Sequence, residues 1–438
     1  QIDHIGYTPA PDIIHEAAGH APLLHEPSYA RYLKQIGRIG GRAFATPEDR
    51  ALYEAIYLLS EIKEDPARTP GQVQRAEQAF TAASLGLGTP SEAAKLARLY
   101  WWTVEYGMVG TLAAPRLYGA GLLSSIGEGY HCQEPRVAKL PLTADCVDVS
   151  YDVTRAQPQL FVARDFEQLE PVLNEVASGL SQTVGGQAGL ETARESGEVA
   201  TLTLDTGAQV VGVVAAVHGD HDEPVLVELS GRCSVACDDA VLGAWSTCEA
   251  LVLPLGRLVD GTPVSSLGYD ALRRLAQPGG RLDLRLQQGV EVHGRLAERF
   301  EREGRLLCVA LHECEIRHRG RVLVHSQTPY VWALGLRVVS AAAGAALGHD
   351  APTEPSHMKV PKPRSFDAAQ RGLHTLYERA LDALRTQGGL ALQQACETIV
   401  DALDTAYPDE WLLRWNILES LVKAAEAGPL TQRLEQDL

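Results

Sequence analysis

The stretch His15-Glu16-Ala17-Ala18-Gly19-His20 sets two imidazoles five residues apart with an acid between them. On an ideal α-helix each residue turns about 100°, so positions five apart point about 140° away from each other. The two rings meet on one ion only if the helix ends or bends, and Gly19 is where it could. The zinc protease pattern is different, because there two histidines four apart share one face and the glutamate between them is the base. Two neutral imidazoles and one carboxylate leave one face of a divalent ion open, an arrangement suited to iron(II) activating oxygen. The third ligand should be an acid set among apolar residues, where an unpaired charge is costly. Tyr100-Trp101-Trp102-Thr103-Val104-Glu105-Tyr106-Gly107 supplies it in Glu105. The residues leave a second reading open, in which His15 and His20 cap or line a helix end and Glu105 makes a buried hydrogen bond.

The elements that must position these groups are mostly helical from residue 1 to about 190. Thr89-Pro90-Ser91-Glu92 predicts a helix start, with Thr89 as cap, Pro90 in the first turn and Glu92 completing a capping box, and the helix running to about Gly107. Residues 44 to 88 read as a charged helical insertion whose second helix spans Gln72 to Ser84. From about residue 195 the period becomes strand-like, in short runs separated by Gly, Asp and Pro, which predicts an antiparallel β-rich domain over 195–347. A linker at 348–365 carries Pro352, Pro355, Pro361 and Pro363. Residues 366–438 return to helical periodicity, with Leu373, Leu376, Tyr377, Ala380, Leu381 and Leu384 on one face. The expected fold class is α+β multidomain, and no internal repeat is visible.

The 438 residues exceed an ordinary single domain. With 45% hydrophobic and 22% charged residues, and no apolar run of about 18, the chain reads as globular without a membrane span. A net charge of −17 argues against nucleic acid as a partner. Eight scattered cysteines read as reduced thiols in a cytoplasm. The chain opens at Gln1 with its first motif close behind, and reads as a fragment beginning inside a domain. His218-Gly219-Asp220-His221-Asp222 reads as a polar loop between strands, and Cys233 and Cys237, with no second pair, do not suggest zinc. His312, Cys314, His318 and His325 read as packing or surface residues.

Three motifs together resemble a known family. Thr8-Pro9-Ala10-Pro11-Asp12 leading into His15 to Leu23, then Tyr100 to Gly107, then Tyr118-Gly119-Ala120-Gly121-Leu122-Leu123-Ser124-Ser125-Ile126-Gly127-Glu128, are similar to the pterin-dependent aromatic amino acid hydroxylases, in the same order. Weaker similarity continues through Tyr151-Asp152-Val153-Thr154 to about residue 180. The resemblance implies a mostly α-helical hydroxylase catalytic domain over 1–190 that uses iron(II), a tetrahydrobiopterin-type cosubstrate and O2 to hydroxylate a free aromatic amino acid. By motif position His15, His20 and Glu105 would be the iron ligands, and Glu16, Ala97 and Tyr100 would lie on the pterin side. Thr8, Pro9, Trp101, Gly121 and Ser124 would line the amino acid site, with Ser124 also orienting His15. Tyr151, Val153 and Trp101 favour phenylalanine as substrate and tyrosine as product.

The chain departs from the family pattern in several places. The family's carboxylate-gripping arginine and pterin-stacking aromatic would lie before Gln1, and Ala10 replaces a common glutamate. The insertion lengthens the interval from His20 to Glu105, which costs little in closure entropy. Nothing after about residue 195 matches the family. A different aromatic substrate, or a non-catalytic iron or amino acid sensor, are the alternative expectations, and the C-terminal helices are expected as a route to self-association.

Overall fold

The computed structural model describes residues 15–65, 68–152, 155–220, 223–243, 247–277, 279–346, 367–423 and 428–437. The chain divides into two compact units, Gln1–Ala351 and Pro352–Leu438.

The first unit holds two large cores. In the N-terminal one, the helix Pro27–Gly40 buries Tyr29, Tyr32 and Ile36, spaced three and four apart, against Leu96, Leu99 and Trp102. Beneath them lies a four-stranded sheet that the sequence does not announce: β1 (Met108–Thr111), β2 (Ala114–Leu117), β3 (Ala138–Pro141) and β4 (Gln159–Ala163), in the order β2-β1-β4-β3. β4 pairs in parallel with both neighbours and is buried along almost its whole length, as a central parallel strand must be.

The helices Pro47–Glu64 and Pro70–Leu85 fill the expected insertion, each opened by a capping box, Thr46 with Asp49 and Thr69 with Gln72. The expected cap at Thr89 is corrected. Ser91 caps the helix Glu92–Tyr100 by accepting from Ala94 N–H at 3.0 Å. Glu92 closes no box, because its carboxylate accepts from the backbone N–H groups of Phe44 (3.2 Å) and Ser181 (2.6 Å) instead.

The second core lies within β5 (Val199–Leu204), β6 (Gln209–Asp220), β7 (Glu223–Cys237), β8 (Ala240–Val241), β9 (Thr247–Cys248), β10 (Leu251–Pro254), β11 (Arg281–Arg285), β12 (Val290–Arg302), β13 (Arg305–His318), β14 (Arg321–Ser326), β15 (Tyr330–Ala333) and β16 (Val338–Ala343). Its two sheets repeat one plan. The ladder β6/β7 runs Val210↔Val235, Val211↔Ser234, then slips to Val213↔Ser230 and Val214↔Leu229; β12/β13 runs Val292↔Ile316, His293↔Glu315, then slips to Arg295↔His312 and Leu296↔Leu311. Gly212 and Gly294 sit at the two slips, and Gly231 (φ 70°) and Glu313 (φ 51°) form the facing bulges. β10 then pairs with β7 from Leu229↔Leu251, as β15 pairs with β13 from Leu311↔Tyr330. The halves exchange their last segments: β16 pairs with β5, while Leu258 bridges to Leu286 just after β11. The sequence hides this duplication because few side chains survive in both copies, chiefly Leu204/Leu286, Gly207/Gly289, Gly212/Gly294, Leu229/Leu311 and Cys233/Cys314.

The two cores are joined by specific contacts. Phe44 is buried in the β core, Arg50 binds Glu198 and the Ser196 carbonyl at 2.8 Å each, and Ala343 N–H donates to the Arg42 carbonyl at 3.0 Å.

The second unit is a bundle of the helices Ala368–Thr386, Gly389–Ala406, Trp411–Lys423 and Pro429–Asp437 around Leu376, Ala380, Ile399, Leu403, Ile417 and Leu434. Leu381, expected on the buried face, is half exposed, because the stripe that packs is the narrower one through Leu376, Ala380 and Ala383. Buried Arg414 is paired with Asp404 at 2.8 Å.

Candidate metal centre

Both segments that carry the candidate ligands leave the α-helical path. Glu16–His20 and Trp101–Glu105 are each one turn of π-helix, closed by Ala21 N–H on the Glu16 carbonyl and by Tyr106 N–H on the Trp101 carbonyl at 2.8 Å. A bond spanning five residues widens the turn, so positions that diverge by about 140° on an α-helix come round toward one face. The turn through Gly19 is thus π-helical, and it gives way to a 3-10 turn at Ala21. His15 and His20 face each other edge to plane at 86°, with Nε2 atoms 3.1 Å apart. Glu105 closes the triangle, Oε2 lying 3.3 Å from His15 Nε2 and Oε1 3.4 Å from His20 Nε2. Among the described residues these three form the one group of histidine, cysteine and acidic donors close enough to share an ion.

Glycines make the joint. A Cβ on Gly19 would stand 2.8 Å from Ala120 Cβ and 2.9 Å from the Ala120 carbonyl oxygen. One on Gly119 would stand 2.4 Å from the Glu105 carbonyl oxygen, and one on Gly121 3.0 Å from the Tyr106 ring. The short helix Ala120–Ser124 thus presses against both π turns at backbone distance and delivers Ser124 to the histidine. Ser124 donates its hydroxyl proton to the Ala120 carbonyl at 2.8 Å, so toward His15 Nδ1, also at 2.8 Å, it can only accept. That assigns the proton of His15 to Nδ1 and leaves the Nε2 lone pair facing Glu105 and His20.

The donor set fits a divalent cation. Ligands about 2.1 Å from one ion and at right angles are separated by about 3.0 Å, close to the spacings found. The Glu105 carboxylate, hydrogen-bonded to His20, holds that imidazole's pKa above its ordinary value despite partial burial. A cation would take the place of that proton. Burial first, and then the charges of Glu105 and Glu16, push the Tyr100 hydroxyl up to about 12 and keep it neutral.

Aromatic rings wall one side. Trp101 is sandwiched between Tyr106 (4.6 Å, 22°) and Tyr151 (4.2 Å, 8°), and its indole N–H is buried without a hydrogen-bond partner. Trp102 is core: fully buried, it packs on Phe161 and donates to the Val149 carbonyl at 2.9 Å.

The structure thus brings together His15, His20, Glu105, Ser124, Gly121, Tyr100, Trp101 and Tyr151. Glu16 and Ala97 are exposed, Glu16 within electrostatic reach of Tyr100 and Ala97 one turn before Trp101. Thr8, Pro9 and Val153 lie outside the described residues, as do His221 and Asp222. His218 binds Glu228 at 2.7 Å and packs edge-on against His318. The sequence reading missed the π turns and the glycine joint. The signal was present: five-residue spacing, in His15/His20 and again in Trp101/Tyr106, is the period of a π turn.

Residues 3–49 and 72–189 match the family model of the biopterin-dependent aromatic amino acid hydroxylases, and the interval between them falls within the helical insertion. Human phenylalanine-4-hydroxylase is 31% identical over 174 residues, which are 39% of this chain and 28% of that protein. The Caulobacter vibrioides phenylalanine-4-hydroxylase is 28% identical over 173 residues, 39% of this chain and 41% of that protein. The chain therefore spans well under half the length of these curated relatives. A solved phenylalanine hydroxylase from Chromobacterium violaceum is 25% identical, with a TM-score of 0.23, over 40% of this chain and 50% of that one.

Proposed function

We propose that this chain, whose residues 3–49 and 72–189 match the biopterin-dependent aromatic amino acid hydroxylase family, is an iron(II)- and tetrahydropterin-dependent monooxygenase acting on the ring of a free aromatic amino acid, L-phenylalanine to L-tyrosine in the first instance. The observation that carries the reading is the donor triangle of His15, His20 and Glu105, with His15 oriented by Ser124. Bound iron(II) with a tetrahydropterin supplies the activation of O2, one atom of which goes to the ring.

The chain's own residues do the rest. His15, His20 and Glu105 hold the ion on two turns locked by Gly19, Gly119 and Gly121. Neutral Tyr100, with Glu16 and Ala97, faces the pterin side. Trp101, clamped between two tyrosines, is a rigid wall that fixes the ring of the amino acid and keeps water out. Gly121, Ser124 and Tyr151 lie on the amino acid side, to which the family resemblance also assigns Thr8, Pro9 and Val153. The domain reading assigns 1–190 to catalysis; the exposed Trp411, Leu412 and Trp415 on the helix Trp411–Lys423 support self-association through the C-terminal unit. Among the described residues no helix is long and apolar enough to cross a membrane, and the eight cysteines are free, which supports a cytoplasmic setting.

The test is product analysis of the full chain, loaded anaerobically with iron(II), on phenylalanine, tyrosine and tryptophan with and without tetrahydropterin. Tyrosine from phenylalanine that requires both iron and pterin is expected. Tight iron binding with no hydroxylated product from any of the three would overturn the catalytic reading in favour of an iron-retaining sensor.

A further inference from the structure

The β core carries a pair of thiols that the metal centre does not use. Cys233 on β7 and Cys248 on β9 are direct cross-strand partners, next to Ser234↔Thr247. Directly opposed residues of antiparallel strands have Cα atoms about 4.5–5.5 Å apart. That falls inside the window of about 4.4–6.8 Å that a disulfide requires. The Cys233 thiol itself donates to the Gly231 carbonyl at 3.3 Å. Access differs between them. Of the eight cysteines, seven are buried, including Cys233, and Cys248 alone is partly exposed. It lines a cavity of 270 Å³ together with Thr247, Ser326, Thr328 and Tyr330.

We propose that Cys248 and Cys233 form a peroxide-oxidisable dithiol, with Cys248 the attacking thiol reached through this cavity and Cys233 the resolving thiol behind it. The Cys248 thiolate attacks one oxygen of hydrogen peroxide; the O–O bond breaks, hydroxide leaves, and Cys248 becomes a sulfenic acid. Cys233 then attacks the Cys248 sulfur, the S–O bond breaks, and the hydroxyl leaves as water with the Cys233 proton. Two thiols and one peroxide give one disulfide and two waters.

The surroundings favour this division of labour. The neighbouring Cys233 thiol holds the Cys248 thiol below its ordinary range against burial and the nearby Glu249, and the same proximity, with burial, pushes Cys233 up. Sulfenic acid formation removes the thiolate that suppresses Cys233. The duplication provides an internal comparison: Cys314 occupies the place of Cys233 in the second half, but its cross-strand partner is Ser326, so no thiol stands directly opposite it. Burial pushes its thiol up to about 12.

The test is a timed treatment of the native full chain with hydrogen peroxide, followed by alkylation, digestion and mass spectrometry. Cys248 should lose its free thiol at least about tenfold faster than any of the six cysteines outside the pair. It should appear joined to Cys233 and return on treatment with a dithiol reductant. In Cys233→Ala, Cys248 should stop at a sulfenic acid that a cyclic dione traps; in Cys248→Ser, Cys233 should keep its thiol. Loss of another cysteine as fast as Cys248, oxidation of Cys248 in the wild type with Cys233 left free, or loss of Cys233 at the wild-type rate in Cys248→Ser would each overturn the proposal.

Discussion

Gly19→Ala is the sharpest perturbation of the joint beneath the donor triangle. The added Cβ would lie 2.8 Å from Ala120 Cβ, 2.9 Å from the Ala120 carbonyl oxygen and 3.0 Å from Ala120 Cα. Carbon atoms pack at about 3.5–4.0 Å, so the overlap approaches about 1 Å and falls on backbone that no rotamer can move away. Relief requires the turn Glu16–His20 to back away from the helix Ala120–Ser124. That strains the 2.8 Å bond from His15 to Ser124 and draws His20 off Glu105. Overpacking of this kind costs about 1–3 kcal/mol of stability. The disturbed support of His15 should lower metal affinity by about 10–100-fold. Gly37→Ala is the control: it lies in the helix Pro27–Gly40 with nothing within 4 Å of its added Cβ. It should stabilise by about 0.5–1 kcal/mol. Urea unfolding and anaerobic iron(II) titration of both variants decide the matter. A Gly19→Ala protein as stable as Gly37→Ala, with wild-type metal affinity, would refute the reasoning.

Three further outcomes follow from single contacts. Ser124→Ala leaves the Nδ1 proton of His15 without its acceptor and should cost about 10–100-fold in metal affinity while leaving the unfolding midpoint nearly unchanged, read by the same titration. Glu92→Ala strips the backbone N–H groups of Phe44 and Ser181 of their acceptor, and should lower stability by about 2–4 kcal/mol in urea unfolding. In the C-terminal unit, the hydrogen bond from Arg414, joined by one from Arg433, holds Asp404 below the ordinary carboxylate pKa against the opposing effect of burial. The stabilisation is therefore present above about pH 4, the unfolded value, and lost as pH falls through the lower folded one. Hydrogen-exchange protection of Gly389–Ala406 should accordingly be weaker in Asp404→Asn than in wild type near neutrality, and the difference should vanish in strong acid.

The donor set was legible because its parts are local and costly: two histidines at fixed spacing, and one acid in an aromatic run. What the sequence could not show was how divergent side chains meet, since that depends on a π turn selected by tertiary contacts with Ala120 and by glycines whose function is the absence of an atom. The β-rich region was readable as strands from its alternation, but its duplication was not, because two copies that keep only a few glycines, leucines and a cysteine look like any pair of hairpins until the ladders are laid out. The small sheet β1 to β4 escaped for a related reason: strands of four or five residues inside helical sequence leave no period to detect. At Glu92 local chemistry pointed to a capping box, and a long-range demand from Phe44 and Ser181 took the carboxylate instead.

The most direct measurement is an anaerobic iron(II) titration of the full chain beside His15→Ala, His20→Ala and Glu105→Ala, with X-ray absorption on the loaded protein. One tightly held ion per chain, bound through nitrogen and oxygen ligands and lost in each of the three variants, is the predicted result. Wild-type binding no tighter than that of the variants, or an ion that survives all three substitutions, would contradict the account.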